Sequence, residues 1–136
     1  MPVEVISVDN LSRESIKEAL DSDFPNVFVD DDGDVGVRDL CTCYLLPNVE
    51  QRRLRLLTLW HFRDEVGELE KYLCANRINV DYAIVRAAVV GPHLAMTYDV
   101  SLEGDGISRR SLTLLIKRFC SAALASAMEY GQGLLA

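Results

Sequence analysis

The hydrophobic positions change period several times along the chain, and each change marks an element. Leu11-Ser12-Arg13-Glu14-Ser15-Ile16 opens a helix: Ser12 supplies the N-cap hydroxyl, and Leu11 can staple to Ile16. Ile16, Ala19 and Leu20 share its apolar face, and the spacing predicts an end near Asp21 to Asp23, before Pro25. From Asn26 the period falls to two. Val27-Phe28-Val29 and Val35-Gly36-Val37-Arg38 flank Asp31-Asp32-Gly33-Asp34, and an Asp-Gly pair between such runs predicts a hairpin. Cys41 to Leu46 extends its second arm or forms a further strand, which Pro47-Asn48 breaks.

Arg53 to Phe62 sets Leu54, Leu56, Trp60 and Phe62 on one face and Arg53, Arg55 and His61 on the other. Leu57 and Leu59 make the second face partly apolar as well, which predicts a central strand. Asp64 is the expected cap of a second helix, with Val66, Leu69 and Leu73 on its buried face and an end near Asn76. Tyr82 to Val90, a Gly91-Pro92 turn and the alternation Leu94, Met96, Tyr98, Val100, Leu102 follow. Thr97, Asp99, Ser101 and Glu103 point away, so this hairpin has one solvated face. Ser108 caps a last helix, stapled by Ile107 and Leu112, whose Leu115, Ile116, Phe119, Ala123 and Ala127 keep helical spacing to about Tyr130. Arg109 and Arg110 in its first turn oppose the helix dipole. The order α-βββ-α-ββ-α predicts an α+β fold, an antiparallel sheet with helices. No linker or repeat divides the chain, so residues 1–136 read as a single domain.

Charge excludes one class of partner. With 14 Lys and Arg against 21 Asp and Glu, the net charge of −7 repels a phosphate backbone, so nucleic acid is not expected. The charge is uneven: residues 1–50 hold 12 acids and 3 bases, residues 51–136 hold 9 acids and 11 bases. The apolar runs are too short to predict a membrane span, and the first residues lack the pattern of a secretory signal, which places the protein in the cytoplasm. There the four cysteines Cys41, Cys43, Cys74 and Cys120 are expected reduced, as small buried hydrophobes. Neither His61 nor His93 stands in a zinc-type pair with another Cys or His, so no metal site is predicted.

The acidic loop Asp30 to Asp34 is the one calcium-like feature. With Gly33 at the sixth position of an EF-hand loop, the first position falls on Phe28, which cannot ligate, and the twelfth on Asp39. A solvated turn is the expected reading, and a metal-dependent enzyme using Asp30–Asp34 is the rival. His61 and His93 have no nucleophile motif beside them, and Ser12, Ser15, Ser108 and Ser111 belong to helix starts. No catalytic or cofactor-binding residue is predicted. Arg52, Arg53 and Arg55, and the pair Arg109-Arg110, can grip a carboxylate or phosphate, with ion pairing to the acidic N-terminal half as the expected use. Trp60 reads as core.

Three stretches resemble the YbjN-type family of candidate sensory transduction regulators. They are Val29-Asp30-Asp31-Asp32-Gly33-Asp34-Val35-Gly36-Val37, Leu73-Cys74-Ala75-Asn76-Arg77, and Tyr98 to Gly104 leading through Gly106-Ile107-Ser108 into the last helix. The likeness runs over about residues 10–130 and departs from the family pattern at Ile78-Asn79-Val80-Asp81. It implies a fold like that of type III secretion chaperones and a non-enzymatic, cytoplasmic, dimeric protein that binds another protein or modulates stress and signalling responses. A secretion-type chaperone for an effector is the alternative it implies. A homodimer is expected independently, through the sheet or a helix beside it, because Leu114, Leu115, Ile116, Phe119 and Leu124 span a wider arc than one sheet face requires.

Overall fold

The structure, a computed structural model, describes residues 3–136. A six-stranded antiparallel sheet forms its centre: β2 (Val27–Val29), β3 (Val35–Arg38), β4 (Thr42–Asn48), β5 (Arg53–His61), β6 (Arg86–Val90) and β7 (His93–Ser101), in spatial order β2-β3-β4-β5-β7-β6. Three helices join it: α1 (Arg13–Asp21), α2 (Glu68–Asp81) and α3 (Arg109–Tyr130). The α+β prediction holds, with four strands rather than three between the first two helices, because Thr42–Asn48 is a strand of its own. Two short strands, β1 (Val5–Ile6) and β8 (Ile107–Ser108), pair as a separate ribbon at the start of α3. There Gly106, at φ +82°, lies against the Ile6 carbonyl so closely that any Cβ would collide.

Alternation along the strands sends one row of side chains to the helices. Val35, Val37, Cys43, Leu45, Leu54, Leu56, Thr58, Leu94, Met96 and Val100 are all buried on that face. Ile16 and Leu20 of α1, Ile78 of α2, and Leu112, Ile116 and Phe119 of α3 close over them. The predicted faces of α1 and α3 are the buried ones, and Ser12 and Ser108 accept from the backbone N–H of Ser15 and Ser111, both at 3.1 Å, as N-caps should. α3 has the length and composition to cross a bilayer, but eight of its residues, Leu112 and Phe119 among them, are buried here against the rest of the fold. Its basic first turn is compensated: the Asp23 carboxylate accepts from Arg109 at 2.7 Å and from the Thr113 hydroxyl at 2.8 Å.

Several expected boundaries shift. α2 begins after Gly67, because Asp64 and Glu65 form a turn closed by Val66 N–H to the Arg63 carbonyl, and it continues past Asn76 to Asp81. Its buried face is Cys74, Ala75 and Ile78, while Leu69 and Leu73 are exposed. The cause is its position against the sheet margin. Asn79 donates to the Ala87 carbonyl at 2.9 Å and accepts from the Ala87 N–H at 2.7 Å, so α2 lies along the outer border of β6. The following strand starts at Arg86 rather than Tyr82. Pro47 does not break β4: it pairs with Leu54 beyond the last residue that faces β3, so its missing N–H removes no ladder bond. Phe62 leaves β5 and bridges to Leu135, with the tail filling the space beside β5 where β4 has ended.

Candidate functional site

α1 and α3 pack on one face of the sheet and α2 lies along its β6 border, and among the described residues the alternate row of side chains forms an opposite face that no element covers. Leu46, Leu57, Leu59, Ala88, Val90 and Ala95 floor a groove of about 310 Å³ across its centre. Leu59 and Val90 are exposed. An apolar floor on the open side of a two-layer fold is unusual, since such a face normally alternates to polar residues.

Arginines stand at one end of this groove. Hydrogen bonding of Phe62 N–H to the Pro92 carbonyl and of Leu102 N–H to the Arg52 carbonyl sets the β5–β7 phase. It makes Arg55–Asp99, Leu57–Thr97, Leu59–Ala95 and His61–His93 the close, non-hydrogen-bonded pairs of the ladder. Arg55 grips Asp99 with two bonds of 2.7 and 3.0 Å. Arg53 and Arg86 each approach the same carboxylate at 3.4 Å. Hydrogen bonding to Arg55, reinforced by the three positive charges, holds the Asp99 carboxyl below the ordinary carboxylate range, and the same bond raises the Arg55 guanidinium. Three guanidinium groups share one carboxylate, so this end of the groove is net positive in a net negative chain. These arginines therefore pair within the C-terminal half, not with the acidic N-terminal half. Arg109 does follow the expected pattern, bonding Asp23 and approaching Glu4 at 3.5 Å.

Beyond Leu46 the same face carries an aromatic group. The Phe28 ring lies over Gly36, where a Cβ would fall 2.3 Å from it, meets Tyr44 edge-on at 5.9 Å, and is capped by Arg38 at 4.0 Å. At the opposite end His61 and His93 sit side by side, ring centroids 5.2 Å apart. Sequence spacing alone pairs neither histidine with the other. They are distant along the chain, and only the β5–β7 register brings them together.

The remaining candidates lie elsewhere. The carboxylates of Asp30, Asp32 and Asp34 do converge, within 4.8 Å of one another. Asp30 is engaged in the turn itself, accepting from the N–H groups of Asp32 and Asp34 at 3.0 and 2.9 Å, and Asp34 pairs with Arg13 at 3.0 Å. Cys43, Cys74 and Cys120 are buried and Cys41 half-buried, with Cys41 and Cys120 each directing its thiol to the other's carbonyl, at 3.9 and 4.0 Å. Contact with Cys120 and burial push the Cys41 thiol far up. Cys120 gains thiolate character from Cys41 but is pushed up to about 12 by Cys43 and burial. Neither is a ready nucleophile at neutral pH. Trp60 is half-buried, donating to the Met96 sulfur at 3.3 Å, and lines a second groove with Leu124, Met128 and Leu135.

No family model matches the chain, and no curated relative does. Among solved structures, the crystal structure of YbjN from E. coli, described as a candidate transcription regulator, superposes with a TM-score of 0.72 at 12% identity. The match covers 93% of this chain and 99% of that one. At that identity the likeness is one of architecture, and the chain has the YbjN fold.

Proposed function

We propose that this chain is a non-enzymatic regulatory domain of the cytoplasm that acts by binding another protein on its uncovered sheet face. The observation that carries the reading is the apolar groove ending at a surplus of arginine. A protein segment with apolar side chains and a carboxylate would cover the one and pair with the other. The architecture shared with YbjN, described as a candidate regulator, supports the same reading. The apolar surface also favours a homodimer. On α3, Leu114 and Met128 are exposed while Ile116 and Phe119 are buried, so the helix contributes a narrower stripe than its composition suggests.

Site-specific photo-crosslinking in the source cell tests the docking surface. A crosslinker at Leu59, in the groove, is expected to give a discrete product with one other protein, and one at Glu18, on the exposed side of α1, none. Equal products from both positions, or none from Leu59, would overturn the proposal. Recovery of a single exported protein at Leu59 would assign the partner class to a secretion chaperone's client.

A further inference from the structure

We propose that His61 and His93 form a cross-strand chelate for a late first-row divalent metal ion, zinc foremost. The two residues are directly opposed on β5 and β7, in the phase of the ladder where facing side chains stand closest. His61 is exposed and His93 half-buried, both on the uncovered face, so an ion reaches them from solvent. The spacing fits the chemistry. With metal–nitrogen bonds of about 2.0–2.1 Å and tetrahedral coordination, two imidazoles sharing one ion have ring centroids about 5 Å apart. The observed separation is 5.2 Å.

The rings now meet edge to face, at 83° between planes. Turning both nitrogens toward a common point requires rotation about χ2, a broad torsion for histidine, and leaves the strands in place. Imidazole suits zinc, nickel and copper better than the oxygen-seeking calcium and magnesium, so the site is distinct in kind from the Asp30–Asp34 turn. Two protein donors leave two positions to water. The pair adjoins the groove lining, His93 facing Val90 across the ladder and His61 two residues beyond Leu59 on the same strand, so a bound ion would lie on the same open face as the groove.

Zinc titration followed by the imidazole nitrogen resonances tests the site. In the wild type both histidines are expected to shift together and saturate at one equivalent. In His93→Ala, binding at His61 becomes monodentate, and the zinc concentration needed is expected to rise at least tenfold, since the second bond of a chelate forms at high effective concentration. Imidazoles that stay unshifted at millimolar zinc, or that shift in the wild type at unequal zinc concentrations, would overturn the proposal without reference to any variant. So would a His61 resonance that responds identically in wild type and in a His93→Ala protein with an otherwise unchanged amide spectrum.

Discussion

Asp99 binds three arginines, but the geometry assigns most of its energy to one of them. Arg55 contacts it through two short bonds, and both partners keep less than a third of their side-chain surface in water. A bidentate, charge-assisted pair of this kind contributes about 1–2 kcal/mol. Arg86 reaches the same carboxylate at 3.4 Å with 63% of its side chain exposed, where solvent screening leaves about 0.5 kcal/mol or less. Arg53, at 3.4 Å and one-third exposed, falls between. Asp99→Asn is therefore expected to cost about 2 kcal/mol, lowering Tm by roughly 7 °C for a chain of this size. A double-mutant cycle with Arg55→Met should return a coupling of about 1–2 kcal/mol, and one with Arg86→Met less than about 0.5. Urea unfolding followed by Trp60 fluorescence measures both. The pH dependence has a definite sign. The carboxyl is depressed in the folded state, so its stabilisation is complete above the ordinary carboxylate range and disappears as pH falls through the lowered value. The gap between wild type and Asp99→Asn should then hold from pH 7 to about 5 and shrink below about 4. Equal couplings for Arg55 and Arg86, or a gap that persists in acid, would refute this ranking.

Gly36→Val places a side chain into the Phe28 ring and is expected to cost about 1–3 kcal/mol in a thermal melt, whereas in a Phe28→Ala background the same change should become neutral or stabilising. An unchanged cost without the ring would show that Gly36 is required by its backbone. Light scattering at micromolar concentration should return the mass of two chains, and Met128→Glu, on the exposed stripe of α3, should halve it; a single-chain mass that does not change on concentration rules the dimer out.

The elements whose own residues determine them were legible in the sequence. Ser12 and Ser108 announce two helix starts, and the Asp-Gly turn joins β2 to β3, because caps and positive-φ turns are local chemistry. α2 was misplaced because its surroundings decide its buried face. A helix beside a sheet margin hides Cys74, Ala75 and Ile78, whereas the pattern Val66, Leu69, Leu73 suits a helix lying over a sheet. The candidate site was half legible. Leu57 and Leu59 already showed a second apolar face on β5, but the partners of Arg55 and His61 depend on a register fixed between strands far apart in sequence. Gly36, opposite Phe28, is the one signal for the aromatic group in the sequence, and a glycine inside a strand does not by itself say which side chain lies over it.

Asn79 has a consequence for how the molecule meets its neighbours. Its carboxamide offers one donor and one acceptor to Ala87, as a passing peptide unit would, so a single side chain stands in for a seventh strand. Of the outward-facing backbone positions in β6, only Val89 stays open, and at the far border β2 is three residues long. An incoming chain therefore finds only short ladders to extend, three residues at β2 and the end of β6 at the other border, which makes both edges poor templates for strand addition. With so little edge to extend, the sheet offers a neighbour mainly its open face, where recognition is by side chains rather than by added backbone pairing.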